Sequence, residues 1–120
     1  MSSVTPMLRV PDVASAIEWY RKVGFRLVAT DAECQENGAI GWCELCLEGG
    51  SIFLRPGPSA TGEAHGDVTL CFDVADVNAT FLRVSPHADI VYAPRDQGYA
   101  RVDFEVRDPN GYRLLFGQDA

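Results

Sequence analysis

The sequence predicts an α+β fold in which one βαβββ module occurs twice. The first observation is an internal repeat: Val-Pro-Asp-Val at residues 10–13 returns as Val-Ala-Asp-Val at residues 74–77, 64 positions later. The second is that each half closes with an alternating strand, a Gly-containing turn and another strand, at residues 42–55 and 100–116. Repetition at a long period indicates a duplicated architecture even where single elements are weakly signalled.

The first module begins with a strand at residues 5–10 and a helix at residues 13–22. Asp12 precedes the helix, and its short carboxylate is suited to accept hydrogen bonds from the exposed N–H groups of the first turn. Apolar residues recur at helical spacing, namely Val13, Ile17 and Tyr20. We expect Gly24 to end the helix because glycine tolerates the left-handed conformation found there.

The rest of the first module is predicted to be three strands joined by a polar loop and a tight turn. The strands are residues 25–30, 39–47 and 51–55, the loop is residues 31–38, and the turn is residues 48–50. Residues 56–66 contain two Pro and three Gly, so the linker between the modules is placed at residues 57–66.

The second module repeats this order. Its strands are residues 68–74, 90–92, 101–106 and 112–117, its helix runs from the cap Asp76 to residue 84, a loop covers residues 93–98, and a turn covers residues 108–111. The prediction is therefore one domain made of two modules, at about residues 4–56 and 67–118.

Alternation along a strand predicts which side chains share a face. The predicted apolar faces, which should lie under the helices, carry Cys43, Leu45 and Leu47 on the third strand and Val102, Phe104 and Val106 on the seventh. The opposite faces carry Trp42, Glu44 and Cys46 on the third strand and Arg101, Asp103 and Glu105 on the seventh. Such a mixed face is usually solvated in an antiparallel sheet. Two repeated sheets are also able to curve together and enclose it.

Composition limits the classes of function. The chain has 120 residues, 47% of them hydrophobic and 22% charged, as expected for a globular protein with one modest core. The formal charge of -7 argues against binding to nucleic acid, whose phosphates need a basic surface. It is compatible with a cationic ligand, and it also simply favours solubility. No apolar run approaches a membrane span and the N-terminus lacks a secretion signal, so we expect no membrane partner and a cytoplasmic location.

The four cysteines do not form a convincing metal or redox motif. Cys43 and Cys46 are three apart on a predicted strand, so their thiols point to opposite faces and cannot share one metal. The histidines, His65 and His87, have no ligand spacing. We therefore expect reduced thiols, with Cys34 and Cys71 as the other two.

Several segments resemble the glyoxalase / bleomycin-resistance / extradiol-dioxygenase superfamily, also called vicinal oxygen chelate proteins. Residues 7–12, Met-Leu-Arg-Val-Pro-Asp, and residues 17–25, Ile-Glu-Trp-Tyr-Arg-Lys-Val-Gly-Phe, resemble its start. Residues 107–116, Arg-Asp-Pro-Asn-Gly-Tyr-Arg-Leu-Leu-Phe, resemble its closing motif, and Gly98-Tyr99 also fits. The resemblance implies two βαβββ modules that form a cupped mixed β-sheet around a cleft, commonly in a homodimer.

The resemblance also implies where metal-dependent members hold a divalent ion. The matching positions of this chain are Thr5, Leu54, Thr69 and Leu115. Leucine offers no lone pair and a neutral threonine hydroxyl is a poor ligand, so we expect no metal and no other cofactor. A shift of one residue would put Phe53 or Arg55 in place of Leu54, and Leu114 or Phe116 in place of Leu115, which does not restore a ligand.

A cleft lined by the mixed faces would present a floor that is largely apolar and charges at the rim, as small-molecule pockets do. The predicted ligand-binding residues are Thr5, Met7, Trp42, Glu44, Leu54, Thr69, Cys71, Tyr99, Arg101, Asp103, Glu105 and Leu115. Trp42 and Tyr99 are suited to stack on a flat or cationic group. The alternative for each charged residue of this set is a solvated or ion-paired group at the surface. Arg101 and Asp103, for example, are two apart on one strand face and are placed to pair with each other.

The leading hypothesis is a metal-independent protein that binds a small molecule, sequestering a toxic or antibiotic compound as bleomycin-resistance members do. The alternative is a glyoxalase- or dioxygenase-like enzyme, with Glu44, Asp103 or Glu105 as acid or base. A third is a structural module whose cleft is closed by side chains. We expect a homodimer, and Pro6 marks either a first strand exchanged between subunits or the plain start of an edge strand.

Overall fold

The computed structural model describes residues 3–31, 40–58 and 68–119. The described residues form two compact units, one with residues 3–21, 25–31 and 40–58 and the other with residues 22–24 and 68–119. Cys34, His65, most of the predicted loop at 31–38 and most of the predicted linker at 57–66 lie outside the described residues.

Both halves of the chain follow the order strand, helix, strand, strand, strand. The first contains β1 (Met7–Val10), α1 (Val13–Lys22), β2 (Arg26–Thr30), β3 (Cys43–Leu47) and β4 (Gly50–Pro56). The second contains β5 (Thr69–Asp73), α2 (Val77–Val84), a short 3-10 helix (Ser85–His87), β6 (Asp89–Asp96), β7 (Arg101–Arg107) and β8 (Arg113–Asp119). The predicted α+β class and the duplicated βαβββ order are confirmed.

The two four-stranded sheets have the same topology. Their strand orders are β1-β4-β3-β2 and β5-β8-β7-β6. In each, the first strand of the module pairs in parallel with the last, and the other pairs are antiparallel. The last strand of each module is therefore an inner strand, and the residues that it carries lie at the centre of the sheet.

The helix starts are set by the two predicted caps. Asp12 accepts hydrogen bonds from the Ser15 backbone N–H (3.2 Å) and the Ser15 hydroxyl (2.9 Å), and the hydroxyl bond is the main reason that the pKa of Asp12 is lowered. Asp76 accepts from the Ala79 backbone N–H at 3.0 Å. Gly24 has a φ of +111°, as its predicted place at the end of α1 requires.

The core faces of β3 and β7 are those that alternation predicted, although Val102 of β7 is only half-buried. In the first unit the buried strand residues include Leu8, Val10, Cys43, Leu45, Leu47, Ile52 and Leu54. In the second they include Phe72, Phe104, Val106, Leu114 and Phe116. Phe81 of α2 contacts Phe104 edge-on at 5.1 Å, and Phe104 stacks on Phe116 at 5.1 Å. We call the other side of each sheet its non-core face.

One strand is longer than predicted. Residues 93–98 were expected to be a loop after a short strand at residues 90–92, but β6 continues to Asp96. It pairs with β7 across two irregularities, one on each side of Tyr92. Pro94 misled the prediction because proline is excluded only from inner strands, and β6 is an edge strand.

Candidate functional site

The position of Leu54 corrects the expected site. Leu54 was expected on the same face as Glu44, but it pairs with Cys43 and with Leu8 and is 0% exposed, so it belongs to the core face. Phe53 pairs with Glu44 and with Met7, and it therefore occupies the non-core position predicted for Leu54. The prediction for Leu54 was wrong by one residue.

The cause is a difference in length between two turns. Leu47 pairs with Gly50 across two residues, whereas the Asp108 backbone N–H bonds to the Tyr112 carbonyl across three. The extra residue moves β8 by one position relative to β4. Because successive residues of a strand face opposite ways, one position exchanges the faces. Leu115 is therefore the structural counterpart of Phe53 and not of Leu54.

With this register, the same three kinds of side chain lie side by side on both non-core faces. In the first unit Met7, Phe53 and Glu44 are direct neighbours on β1, β4 and β3, and we call them the first row. In the second unit Cys71, Leu115 and Glu105 are direct neighbours on β5, β8 and β7, and we call them the second row. Each row thus contains a sulfur side chain, a large apolar side chain and a glutamate.

The first row places its carboxylate beside apolar side chains and one thiol, since Cys46 Sγ lies 4.0 Å from Glu44 Oε2. Met7 is 46% exposed, while Phe53 and Glu44 are half-buried. The Trp42 ring lies 5.2 Å from the Phe53 ring at a tilt of 57°. The Trp42 backbone N–H donates to Asp31 Oδ1 at 2.9 Å, which fixes the chain just before β3. Thr5, two residues before Met7, is half-buried and precedes β1.

The glutamate of the second row is more buried than that of the first row. Glu105 is only 8% exposed, and its nearest cation is Arg113, whose Nη1 lies 3.8 Å from Oε2. That distance makes an ion pair but no direct hydrogen bond. Cys71 is exposed, and partial burial of its thiol is the main cause that raises its pKa. Thr69, two residues earlier on β5, is half-buried.

Asp103 lies two residues before Glu105 on the same face, and it is occupied by hydrogen bonds within the unit. It is 3% exposed, and its Oδ1 accepts from the Tyr92 hydroxyl at 2.8 Å and from Gln97 Nε2 at 2.6 Å. Burial of the phenol, followed by the bond to Asp103, raises the pKa of Tyr92 to about 12. The Arg95 guanidinium covers the Tyr92 ring at 3.7 Å.

Arg101 pairs with two carboxylates other than Asp103. Its Nη2 lies 2.6 Å from Asp73 Oδ1, and its Nη1 lies 3.3 Å from Asp119 Oδ1. Gly117 permits this arrangement, because a Cβ at that position would lie 2.7 Å from Arg101 Nη2. The expected pairing of Arg101 with Asp103 is wrong because the guanidinium crosses the glycine to the neighbouring strands.

The positions that the resemblance assigns to metal ligands do not fit a divalent ion. Thr5, Thr69 and Leu115 supply no carboxylate, imidazole or thiolate, and Phe53, which replaces Leu54 in the corrected register, supplies none either. Within residues 3–31, 40–58 and 68–119, no group of three or more His, Cys, Asp or Glu side chains is arranged to hold a metal ion.

Four residues that matter at these faces were not predicted: Phe53, Tyr92, Gln97 and Arg113. Phe53 was only the alternative to Leu54 for a shift of one residue, and the length of the β3–β4 turn determines which of the two lies on the non-core face. Tyr92 and Gln97 reach Asp103 across strand pairs that contain irregularities, so no simple spacing connects them. Tyr99, which was predicted, lies in the β6–β7 turn and is 67% exposed.

No helix within the described residues combines the length and the apolar character that a membrane crossing requires.

Comparisons with known proteins cover nearly the whole chain. Residues 3–116 match the family model described as Glyoxalase/Bleomycin resistance protein/Dioxygenase superfamily. The crystal structure of TioX from Micromonospora sp. ML1 is 28% identical, with a TM-score of 0.79, and the match covers 99% of this chain and 97% of that one. Among curated proteins, none matches the sequence significantly.

Two further solved structures share the fold. A bleomycin resistance determinant encoded on the transposon Tn5 is 22% identical with a TM-score of 0.77, over 99% of this chain and 98% of that one. A bleomycin-binding protein complexed with bleomycin is 21% identical with a TM-score of 0.76, over 100% of both chains. At these identities the likeness shows the fold alone.

Proposed function

Since this chain belongs to the glyoxalase/bleomycin resistance protein/dioxygenase superfamily, we propose that it binds a small organic cation without a metal ion. The first and second rows would be the binding surfaces, and binding would sequester the compound. The observation that carries this proposal is the recurrence of a glutamate beside a large apolar residue at the centre of both non-core faces.

The side chains of the first row indicate the chemistry of the ligand. Met7, Phe53 and Trp42 supply apolar and aromatic surface that is partly exposed. Glu44 lies among them, with the Cys46 thiol, a weak donor, 4.0 Å from its Oε2. A half-buried carboxylate is best compensated by a positive partner. A flat aromatic cation satisfies both demands, since it stacks on the rings and pairs with the carboxylate. The net charge of -7 favours the approach of such a molecule.

Bleomycin is the first compound to test, because two proteins of the same fold are named for resistance to it or for binding it. A ligand that binds only the folded state raises the free energy of unfolding by about 2.7 kcal/mol at one hundred times its Kd. We expect bleomycin, or a flat aromatic cation in a matched panel, to raise the melting temperature of the wild-type protein.

Charge-neutral variants locate the binding. Glu44→Gln and Glu105→Gln remove the two row carboxylates, and Glu18→Gln on the exposed side of α1 is the matched control. We expect at least one row variant to weaken binding about tenfold or more, as for loss of a charge-assisted contact of about 1.5 kcal/mol or more. Equal binding by all three variants would refute a role for the rows.

Metal independence has its own test. Protein purified without chelators is analysed for bound divalent ions and then retested after dialysis against a chelator. We expect no stoichiometric ion and no loss of ligand binding. One ion per chain, whose removal abolishes binding, would overturn this part of the proposal and favour the enzyme alternative.

We also propose a homodimer, with or without exchange of the first strand. Within the single chain β1 pairs with β4, and the Phe53 backbone N–H donates to the Pro6 carbonyl at 2.9 Å. Light scattering coupled to gel filtration should give about twice the 13.1 kDa of one chain. A mass of 13.1 kDa at micromolar concentration would contradict the dimer.

A further inference from the structure

The turn between β6 and β7 holds an unusual backbone conformation. The Gln97 backbone N–H bonds to the Arg101 carbonyl at 2.9 Å and closes a loop of three residues. The last of them, Ala100, has a φ of +61°, although glycine is the residue that usually occupies such a position. A left-handed alanine is strained, and strain persists only where the surrounding structure enforces it.

The middle residue of this loop is Tyr99, whose side chain is 67% exposed. Gly98, with a φ of +83°, comes directly before it, and Ala100 comes directly after it. Residues with positive φ on both sides of Tyr99 thus set the direction in which its Cα–Cβ bond leaves the backbone. An exposed aromatic ring on a strained loop is a feature that binding sites use.

The conformation is anchored from inside by Asp103. Gln97 Nε2 donates to Asp103 Oδ1 at 2.6 Å, and the Tyr92 hydroxyl donates to the same oxygen at 2.8 Å. Asp103 is 3% exposed, so these bonds replace its water. The Arg95 guanidinium lies over the face of the Tyr92 ring, 3.7 Å from its centroid.

Among the described residues of the first unit, the position that corresponds to Asp103 carries no carboxylate. Trp42 stands two residues before Glu44, as Asp103 stands two residues before Glu105, so the two are counterparts. Trp42 contacts Phe53 through its ring and donates its backbone N–H to Asp31. The duplicated fold therefore does not itself require a carboxylate at this place, and Asp103 serves something particular to the second unit.

We propose that Asp103 is a positioning residue that acts through Gln97 to hold the turn at residues 97–100, so that Tyr99 is presented as an aromatic contact for the ligand. This role rests on the proposed small-molecule binding, and it replaces the expectation that Asp103 itself contacts the ligand. The ligand then meets an aromatic side chain whose direction is set before binding.

The anchor is tested without any ligand, by hydrogen exchange of the Gln97 and Gly98 amides. The Gln97 amide bonds to the Arg101 carbonyl and so closes the turn, and the Gly98 amide bonds to Asp96 Oδ1 at 2.7 Å at the start of the turn. Gln97→Ala removes the anchoring donor and leaves the buried carboxylate with its Tyr92 bond. We expect exchange of both amides to accelerate about tenfold in Gln97→Ala and to stay unchanged in an Asp119→Asn control.

Asp103→Asn is a second test of the anchor. It should accelerate hydrogen exchange of the same two amides, and it should also lower the pKa of Tyr92, which ultraviolet titration measures. Far-ultraviolet circular dichroism establishes that each variant is folded. Unchanged exchange in a folded Gln97→Ala protein would overturn the anchor.

Binding of the planar fluorescent cation proflavine tests the presentation of Tyr99. We expect Tyr99→Ala and Gln97→Ala each to weaken proflavine binding about tenfold, and the double variant to be no weaker than either, because both act through one ring. Faster exchange in Gln97→Ala with unchanged proflavine affinity would overturn the role of the turn in binding. Failure of proflavine to bind the wild-type protein would count against the proposed function, while the exchange result still decides the anchor.

Discussion

The assignment of Leu54 to the core and Phe53 to the site predicts opposite effects for two adjacent substitutions. Leu54 is 0% exposed and is flanked by Leu8 and Cys43 in the register. Leu54→Ala leaves a cavity, and such changes lower the free energy of unfolding by about 2–5 kcal/mol. Because Leu54 is fully buried, we expect a loss of about 3 kcal/mol or more. Phe53 is half-buried, so Phe53→Ala should cost about 1–2 kcal/mol and should remove the ring beside Trp42.

Urea denaturation measures both changes. With a slope of about 1–3 kcal/mol per molar, Leu54→Ala should lower the midpoint by about 1–3 M and Phe53→Ala by about half as much or less. Proflavine binding should show the reverse order: weakened about tenfold by Phe53→Ala, and unchanged by Leu54→Ala under conditions where that variant is folded. If Phe53→Ala costs more stability than Leu54→Ala, the register and the two faces are wrong.

Three further predictions concern caps, thiols and alkaline pH. Asp76→Ala should lower the unfolding free energy by about 1 kcal/mol in urea, because the Ala79 N–H loses its acceptor. At pH 8 a maleimide should label the exposed Cys71 in the folded protein and spare Cys43, which is buried and whose pKa is raised to about 11 by burial. The raised pKa of Tyr92, about 12 against an ordinary 10.0, contributes stability that is complete below pH 10 and is lost as the pH rises through 12. For a half-exposed phenol this loss should be about 1 kcal/mol, and Tyr92→Phe should remove it.

Each of these predictions has a result that would contradict it. Asp76→Asn should keep most of the stability, so an equal loss in the asparagine and alanine variants would argue against capping. Equal labelling rates for Cys43 and Cys71, read by mass spectrometry of peptides, would show that the core face of β3 is open. An identical fall in stability above pH 10 for the wild-type protein and Tyr92→Phe would assign that fall to other groups.

The elements predicted well from sequence are those that local chemistry decides. Asp12 and Asp76 were predicted as caps because a short carboxylate beside a helix start bonds only a few residues away. The opposite directions of Cys43 and Cys46 follow from the twofold period of one strand. Such features depend on neighbours along the chain, so their pattern can be seen without knowing the fold.

The elements predicted poorly depend on how strands pair with one another. Leu54 and Phe53 exchange faces because the β3–β4 turn is a residue shorter than its counterpart between β7 and β8, and that length is defined only once both strand pairs are formed. Asp103 was predicted to contact the ligand, with a pair to Arg101 two residues away as the alternative. It meets Gln97 and Tyr92 instead, because the irregular pairing of β6 with β7 brings them to it.

By itself the sequence determined the α+β class, the duplicated βαβββ order, the helix caps and the buried sides of β3 and β7. These follow from periodicity and short-range hydrogen bonding, which the chain carries locally. Only the tertiary structure decided which side chains stand next to each other across the strands: the rows around Glu44 and Glu105 and the anchor at Asp103. The physical reason is that strand register is set by the backbone bonds between strands and by the length of the turns that join them, and a change of one residue reverses every face.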